Sequence, residues 1–139
     1  MKTFTKNLLF FSIGLTILTI LFRFLLSTTL QNQHFSFAWI LAVLYSITVF
    51  IIGWIFGKRD NLTLPLYDIG FRFHLATYVI CNLIAEIWYA LGLQSDYEKI
   101  KSVHLTIIFW GLGLLIHFII YLITRKQTIN GIKKSDIFE

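Results

Sequence analysis

The sequence predicts an all-α integral membrane protein whose four transmembrane helices form two hairpins packed as one bundle. Three observations carry that prediction. The first is composition: 57% of the residues are hydrophobic and 14% are charged, against about 25% charged in an average soluble domain. A soluble helical bundle needs a polar stripe on every helix, and this chain has too few charges to supply one. The second is segmentation into four apolar runs of about 22 residues, each roughly 33 Å long as a helix and sufficient for a ~30 Å hydrocarbon core. The third is the placement of lysine and arginine at the ends of those runs.

The first run extends from Asn7 to about Thr29 behind Lys2 and Lys6. Its apolar stretch exceeds the ~7–15 residues of a signal-peptide core and no small-x-small cleavage site follows, so a retained helix is expected. The second run covers Phe35 to Gly57, the third Phe71 to Leu93 and the fourth Val103 to Thr124. In hydrocarbon every backbone polar group needs an internal partner, which selects helices; transmembrane strands would be about half as long and alternate in polarity. The connection at residues 58–70 holds Lys58, Arg59, Asp68 and the single proline, Pro65. It divides the chain into an N-terminal hairpin (1–57) and a second hairpin (71–125), followed by a basic tail (126–139).

Orientation follows from the positive-inside rule. With the N-terminus inside, Lys2, Lys6, Lys58, Arg59, Arg72, Arg125, Lys126, Lys133 and Lys134 lie on the inner side, and only Lys99 and Lys101 on the outer. Both termini are therefore expected in the cytoplasm, with Trp39 and Trp88 at the outer interface and Trp54 at the inner one. The net charge of +5 is explained by topology, and nucleic-acid binding is not expected, because no basic stripe interleaves with aromatics on a polar surface.

Ionisable side chains inside the membrane are costly and need a partner or a purpose. Arg23 and Glu86 stand at similar depth, about 23 Å from the inner end of their helices at ~1.5 Å per residue, which predicts an ion pair between them or a polar pocket shared in the outer half. On the third helix His74, Tyr78, Asn82 and Glu86 recur every four residues as a slowly winding polar stripe. Thr106, Trp110, Gly113, His117 and Tyr121 form a matching stripe on the fourth. A fold about residue 98 sets Asn82 opposite Gly113–Leu114 and His117 opposite Val79, so the stripes are expected to meet and glue the hairpin. Gly53 and Gly57 form a GxxxG, and Gly111 and Gly113 with Trp110 mark a second candidate packing face.

Chemistry-bearing motifs are absent. Cys81 is the only cysteine, which excludes an intrachain disulfide and a CxxC metal site. No phosphate-binding loop, Gly-x-Ser-x-Gly or His-Glu-x-x-His occurs, and Asp68 and Glu86 differ too much in depth to act as a carboxylate pair. His74 and His117 raise a haem or metal alternative, but their expected depths differ by about a turn. No cofactor and no catalytic residue is expected.

The second hairpin resembles the bacterial 2TM domain family. The resemblance rests on Arg72-x-His74, Tyr78 and Asn82 on one helix and Trp110-Gly111-x-Gly113-x-x-x-His117 on the next, across residues 71–125. Such domains stand alone or form the membrane part of signalling proteins such as histidine kinases and DNA-binding regulators. The present sequence adds an N-terminal hairpin to that pattern, and no output domain is expected in it. The resemblance, taken with the absence of catalytic groups, leads to the expectation of a non-enzymatic anchor, sensor or regulator in the bacterial inner membrane, acting through a partner such as a cytoplasmic protein. The alternative is a homo-oligomeric channel-like effector, or a membrane immunity protein, with Arg23, Glu86 and Asn82 along its pathway.

Overall fold

The computed structural model describes residues 5–60, 66–129 and 132–133. Lys2, Pro65, Lys134 and the side chains of Lys126 and Lys133 lie outside the described part. The elements are α1 (Lys6–Gln31), α2 (Phe35–Asp60), α3 (Leu66–Ala90) and α4 (Ile100–Gln127), then a minimal antiparallel pair of β1 (Thr128–Ile129) and β2 (Ile132–Lys133). All four helices are long and apolar enough to cross a membrane. The shortest has 25 residues, about 37 Å at ~1.5 Å per residue.

The helix boundaries have local causes. Thr5 caps α1 by accepting the Leu8 N–H at 3.1 Å. It also donates to Asp60 at 2.5 Å, and Asn7 Nδ2 reaches the other Asp60 oxygen at 2.7 Å. The start of α1 is thereby tied to the end of α2. Helix α3 begins five residues before the expected Phe71, because Asp68 sits in its first turn, where a carboxylate favours the positive end of the helix. Asp68 also pairs with Arg72 one turn later at 2.6 Å. At its other end α3 stops at Ala90, short of the expected Leu93. Gly92 adopts a left-handed φ of 68°, its N–H bonds Tyr89 O, and the Leu93 N–H bonds Trp88 O. This is the Schellman arrangement that glycine serves best. The α1–α2 turn repeats it with Gln33 at φ 61°, bonding Leu30 O, and His34 bonding Thr29 O.

Helix α1 packs against α2 on one side and α3 on the other, α3 packs against α4, and α2 meets α3 more lightly. The buried residues of α1 are Leu8, Phe11, Leu15, Thr19, Arg23 and Ser27, spaced three or four apart and thus on one face. Leu8, Phe11 and Leu15 join Ile69 and Phe73 of α3 as the dry core, with the Phe11 and Phe73 rings 4.8 Å apart. Helix α4 differs. Val103 is its only buried residue among those described, and beyond a half-buried stripe that includes Ile107, Trp110, Leu114 and Tyr121 its surface faces outward.

Candidate functional site

The largest departure from expectation is the partner of Arg23. Its Nη2 pairs with Glu98 at 2.9 Å, with both side chains about nine-tenths buried. Glu86 instead lies half-exposed, 3.2 Å from His104 Nε2. The expected Arg23–Glu86 pair is therefore corrected. Glu98 belongs to the connection between α3 and α4, which was expected to lie in the outer aqueous region. That connection folds back along α1, so its carboxylate descends to the level of Ser27, about one helical turn below the α1 end. There Oε1 accepts the Ser27 hydroxyl at 2.5 Å and the Ser95 N–H at 3.2 Å. The Trp88 indole N–H in turn donates to Ser27 Oγ at 3.0 Å. Ion pairs taken out of water survive only when their remaining donors and acceptors are also satisfied, and Glu98 meets that condition.

The connection is pinned further up. Gln31 exchanges two hydrogen bonds with Asp96, accepting its backbone N–H at 3.1 Å and donating to its carboxylate at 3.0 Å. Gln33 donates to Tyr97 Oη at 2.7 Å. The left-handed backbone at Gln33 is thus matched to a side-chain role that glycine would not supply.

Deeper in the bundle a second polar group bridges three helices. The Thr19 hydroxyl donates to Leu15 O at 2.7 Å, so the Tyr45 hydroxyl, 2.8 Å away, must donate to Thr19. The Cys81 thiol then has the Tyr45 oxygen at 3.2 Å. This chain of protons satisfies all three groups without water. Most other helical hydroxyls bond the carbonyl four residues earlier in their own helix, as Ser12, Thr16, Thr48, Thr77 and Thr106 do.

The stripes of α3 and α4 do meet, in a register centred near Ser95 rather than residue 98. His104 faces Glu86, and His117 faces His74 with ring centroids 4.8 Å apart, so His117 does not sit opposite Val79 as expected. The Trp110 N–H donates to His74 Nε2 at 2.8 Å and the Tyr78 hydroxyl to Ile107 O at 3.2 Å. Asn82 contributes no glue: its amide donates to Tyr78 O within α3. Tyr121 stacks on Phe71 at 5.1 Å. The shift has a simple cause: the connection spans residues 91–99, beginning and ending three residues before the expected 94–102.

The glycines separate by role. A Cβ on Gly111 would stand 3.1 Å from the Tyr78 hydroxyl, while one on Gly113 would meet nothing within 4 Å. Cβ atoms on Gly53 and Gly57 would meet Phe11 and Ile69 at 3.6 and 3.5 Å, ordinary van der Waals distances. Gly111 alone of the four marks a tight approach.

Two cavities flank these groups. One, of about 370 Å³, is bounded by Arg23, Asn82, Glu98, Lys99 and Thr106 among others. The other, of about 780 Å³, is a more apolar groove between α2 and α3, reaching from Lys58 past Phe50, Phe73 and His74 to Trp110 of α4. Tyr45, Cys81 and Trp110 line both. No group of three or more His, Cys, Asp or Glu is placed to hold a metal among the described residues. His74 Nε2 is already engaged by Trp110.

Four long apolar helices define the chain as a multi-pass membrane protein. No family model matches it, nor does any curated protein or solved structure.

Sequence reasoning singled out Arg23, His74, Asn82 and Trp110, which do lie along the two cavities or their shared wall. It missed Glu98, Ser27, Trp88, Thr19, Tyr45 and Cys81. A signal for two of these was present: Thr19 and Ser27 lie four residues to either side of Arg23, which places them on its helical face.

Proposed function

We propose that this chain is a non-enzymatic membrane module that anchors, senses or regulates through a protein partner. In this reading it crosses the bacterial cytoplasmic membrane four times as two hairpins, with both termini in the cytoplasm. The observation that carries the proposal is how the polar side chains are used. Arg23, Ser27, Trp88 and Glu98 tie α1 to α3 and its following connection. His74 and Trp110 tie α3 to α4. No nucleophile stands beside a base oriented by a third group, as covalent catalysis requires, among the described residues. The charge asymmetry of the connections supports the orientation, and the likeness of residues 71–125 to the 2TM domain family supports a role exercised through a partner.

The test is a native pull-down of the full chain in mild detergent, with mass spectrometry and sizing of the complex. A cytoplasmic protein recovered in fixed ratio supports the proposal. A pure homo-oligomer that conducts ions in liposomes overturns it in favour of a channel-like effector. Reporter fusions at the two termini that fall on opposite sides of the membrane overturn the topology.

A further inference from the structure

Arg23 is about nine-tenths buried, and its Nε has no hydrogen-bond partner among the described residues. Nη2 serves Glu98, and the Nε–H beside it on the same edge of the guanidinium is left without an acceptor. A buried charged donor without an acceptor is unfavourable in hydrocarbon and invites a ligand oxygen. Arg23 lines the cavity of about 370 Å³. Its charged wall consists of Arg23, Glu98 and Lys99. Since Arg23 and Glu98 neutralise each other, Lys99 leaves the cavity with one uncompensated positive charge. The same cavity has an apolar side in Phe22, Leu26 and Leu30 of α1, and it shares Tyr45, Cys81 and Trp110 with the apolar groove of about 780 Å³.

We propose that these two cavities, which meet at the shared wall of Tyr45, Cys81 and Trp110, together form a binding site for an anionic amphiphile with a single long hydrocarbon chain, of the fatty-acid class. Its acidic oxygens accept from Arg23 Nε and Lys99, and its chain passes the Tyr45–Trp110 wall into the apolar groove. The two halves of the slot match the two halves of such a molecule. A charged head needs the fixed donors and the net positive charge. The tail needs a concave apolar surface reached from the bilayer. A small free anion would use only the first cavity, and a neutral lipid would use only the second. This inference does not depend on the protein partner, because loss of the ligand site leaves partner capture in the pull-down intact.

The test uses the purified full chain in a neutral maltoside detergent, with calorimetric titration and thermal unfolding. The probes are oleate, oleyl alcohol, acetate and inorganic phosphate. Oleate is expected to bind saturably, at least tenfold tighter than oleyl alcohol, and to raise the unfolding midpoint. Acetate and phosphate are expected to show no saturable binding. Arg23→Lys preserves the charge facing Glu98 but removes Nε, and Lys99→Gln removes the excess charge; each is expected to weaken oleate binding tenfold or more. Thr106→Phe, which narrows the cavity from α4, is expected to do the same and serves if Arg23→Lys does not fold. Equal binding of oleyl alcohol, saturable binding of acetate or phosphate alone, or unchanged oleate affinity in the folded variants overturns the proposal.

Discussion

Helices α1 and α4 both pack against α3, by different means. The α1 side is a dry seam of Leu8, Phe11, Leu15, Ile69 and Phe73, closed at one end by the buried Arg23–Glu98 pair. The α4 side is a seam of aromatic stacking and single polar contacts, with Trp110 on His74, Tyr78 on the Ile107 carbonyl and Tyr121 on Phe71. In lipid there is little hydrophobic force between helices, so close packing and interhelical hydrogen bonds must supply the attraction. The α1 seam has both in quantity. The α4 seam rests on a few contacts, and α4 is the helix with the most room to shift relative to the rest.

Substitutions rank the two seams. Glu98→Gln is expected to have the largest effect, a loss of about 3–5 kcal/mol, because it leaves Arg23 charged and buried without its counterion. The midpoint of heat-induced aggregation in detergent measures it. Replacing both residues by Met is expected to recover most of the loss. A harmless Glu98→Gln beside a damaging Glu86→Gln would reverse the assignment of the pair. Phe11→Ala is expected to cost about 3 kcal/mol, the lower end of the range for a buried phenylalanine, because lipid rather than water is the competing solvent. Phe109→Ala, at a position 69% exposed on α4, is expected to leave the same midpoint almost unchanged. A comparable loss at Phe109 would mean that α4 is covered by a second chain.

Smaller effects sharpen the contrast. Trp110→Phe keeps the ring but removes the donor to His74, and is expected to cost about 0.6–1.7 kcal/mol, the range for interhelical hydrogen bonds in membranes. A loss as large as that of Phe11→Ala would show the α4 seam to be as strong as the α1 seam. Glu86→Gln, at a half-exposed pair with His104, is expected to fall within ~0.5 kcal/mol, read from the same melting curves.

Much of the architecture was legible, and the reason is the solvent. Lipid forces long uninterrupted apolar runs, so the four spans stand out without any knowledge of packing. The boundaries were less legible where capping competes with hydropathy. Leu91 and Leu93 extend the apolar run past Ala90, but Gly92 takes a left-handed conformation and ends the helix. Asp68 lowers local hydropathy yet belongs to α3 because it sits at the helix start. At the site, the depth of Arg23 announced a buried charge that needed a partner. The partner was misassigned because depth along straight helices says nothing of a connection that folds back into the bundle. Glu98 looked solvated in a segment with Ser95, Asp96, Lys99 and Lys101. Once three residues at each end of that connection were misplaced, the register of α3 on α4 slipped with them, and His117 lost its true neighbour His74. The links of Tyr45 to Thr19 and Cys81 cross between helices far apart in sequence, and a single sequence carries no distance information of that kind.

The Arg23–Glu98 pair also has a consequence in time. Its members are 75 residues apart in the chain. At a synthesis rate of ~5–20 residues per second, α1 leaves the ribosome roughly 4–15 s before the carboxylate that will neutralise its arginine. During that interval the arginine disfavours insertion, though by less than the about 2.5–3.5 kcal/mol of one at the helix centre, because it stands eight residues from the outer end of α1. The first helix therefore enters the bilayer as a provisional guest, its arginine drawn toward headgroups or held beside the insertion machinery. It settles to its final depth only after the third helix and the connection behind it have been made.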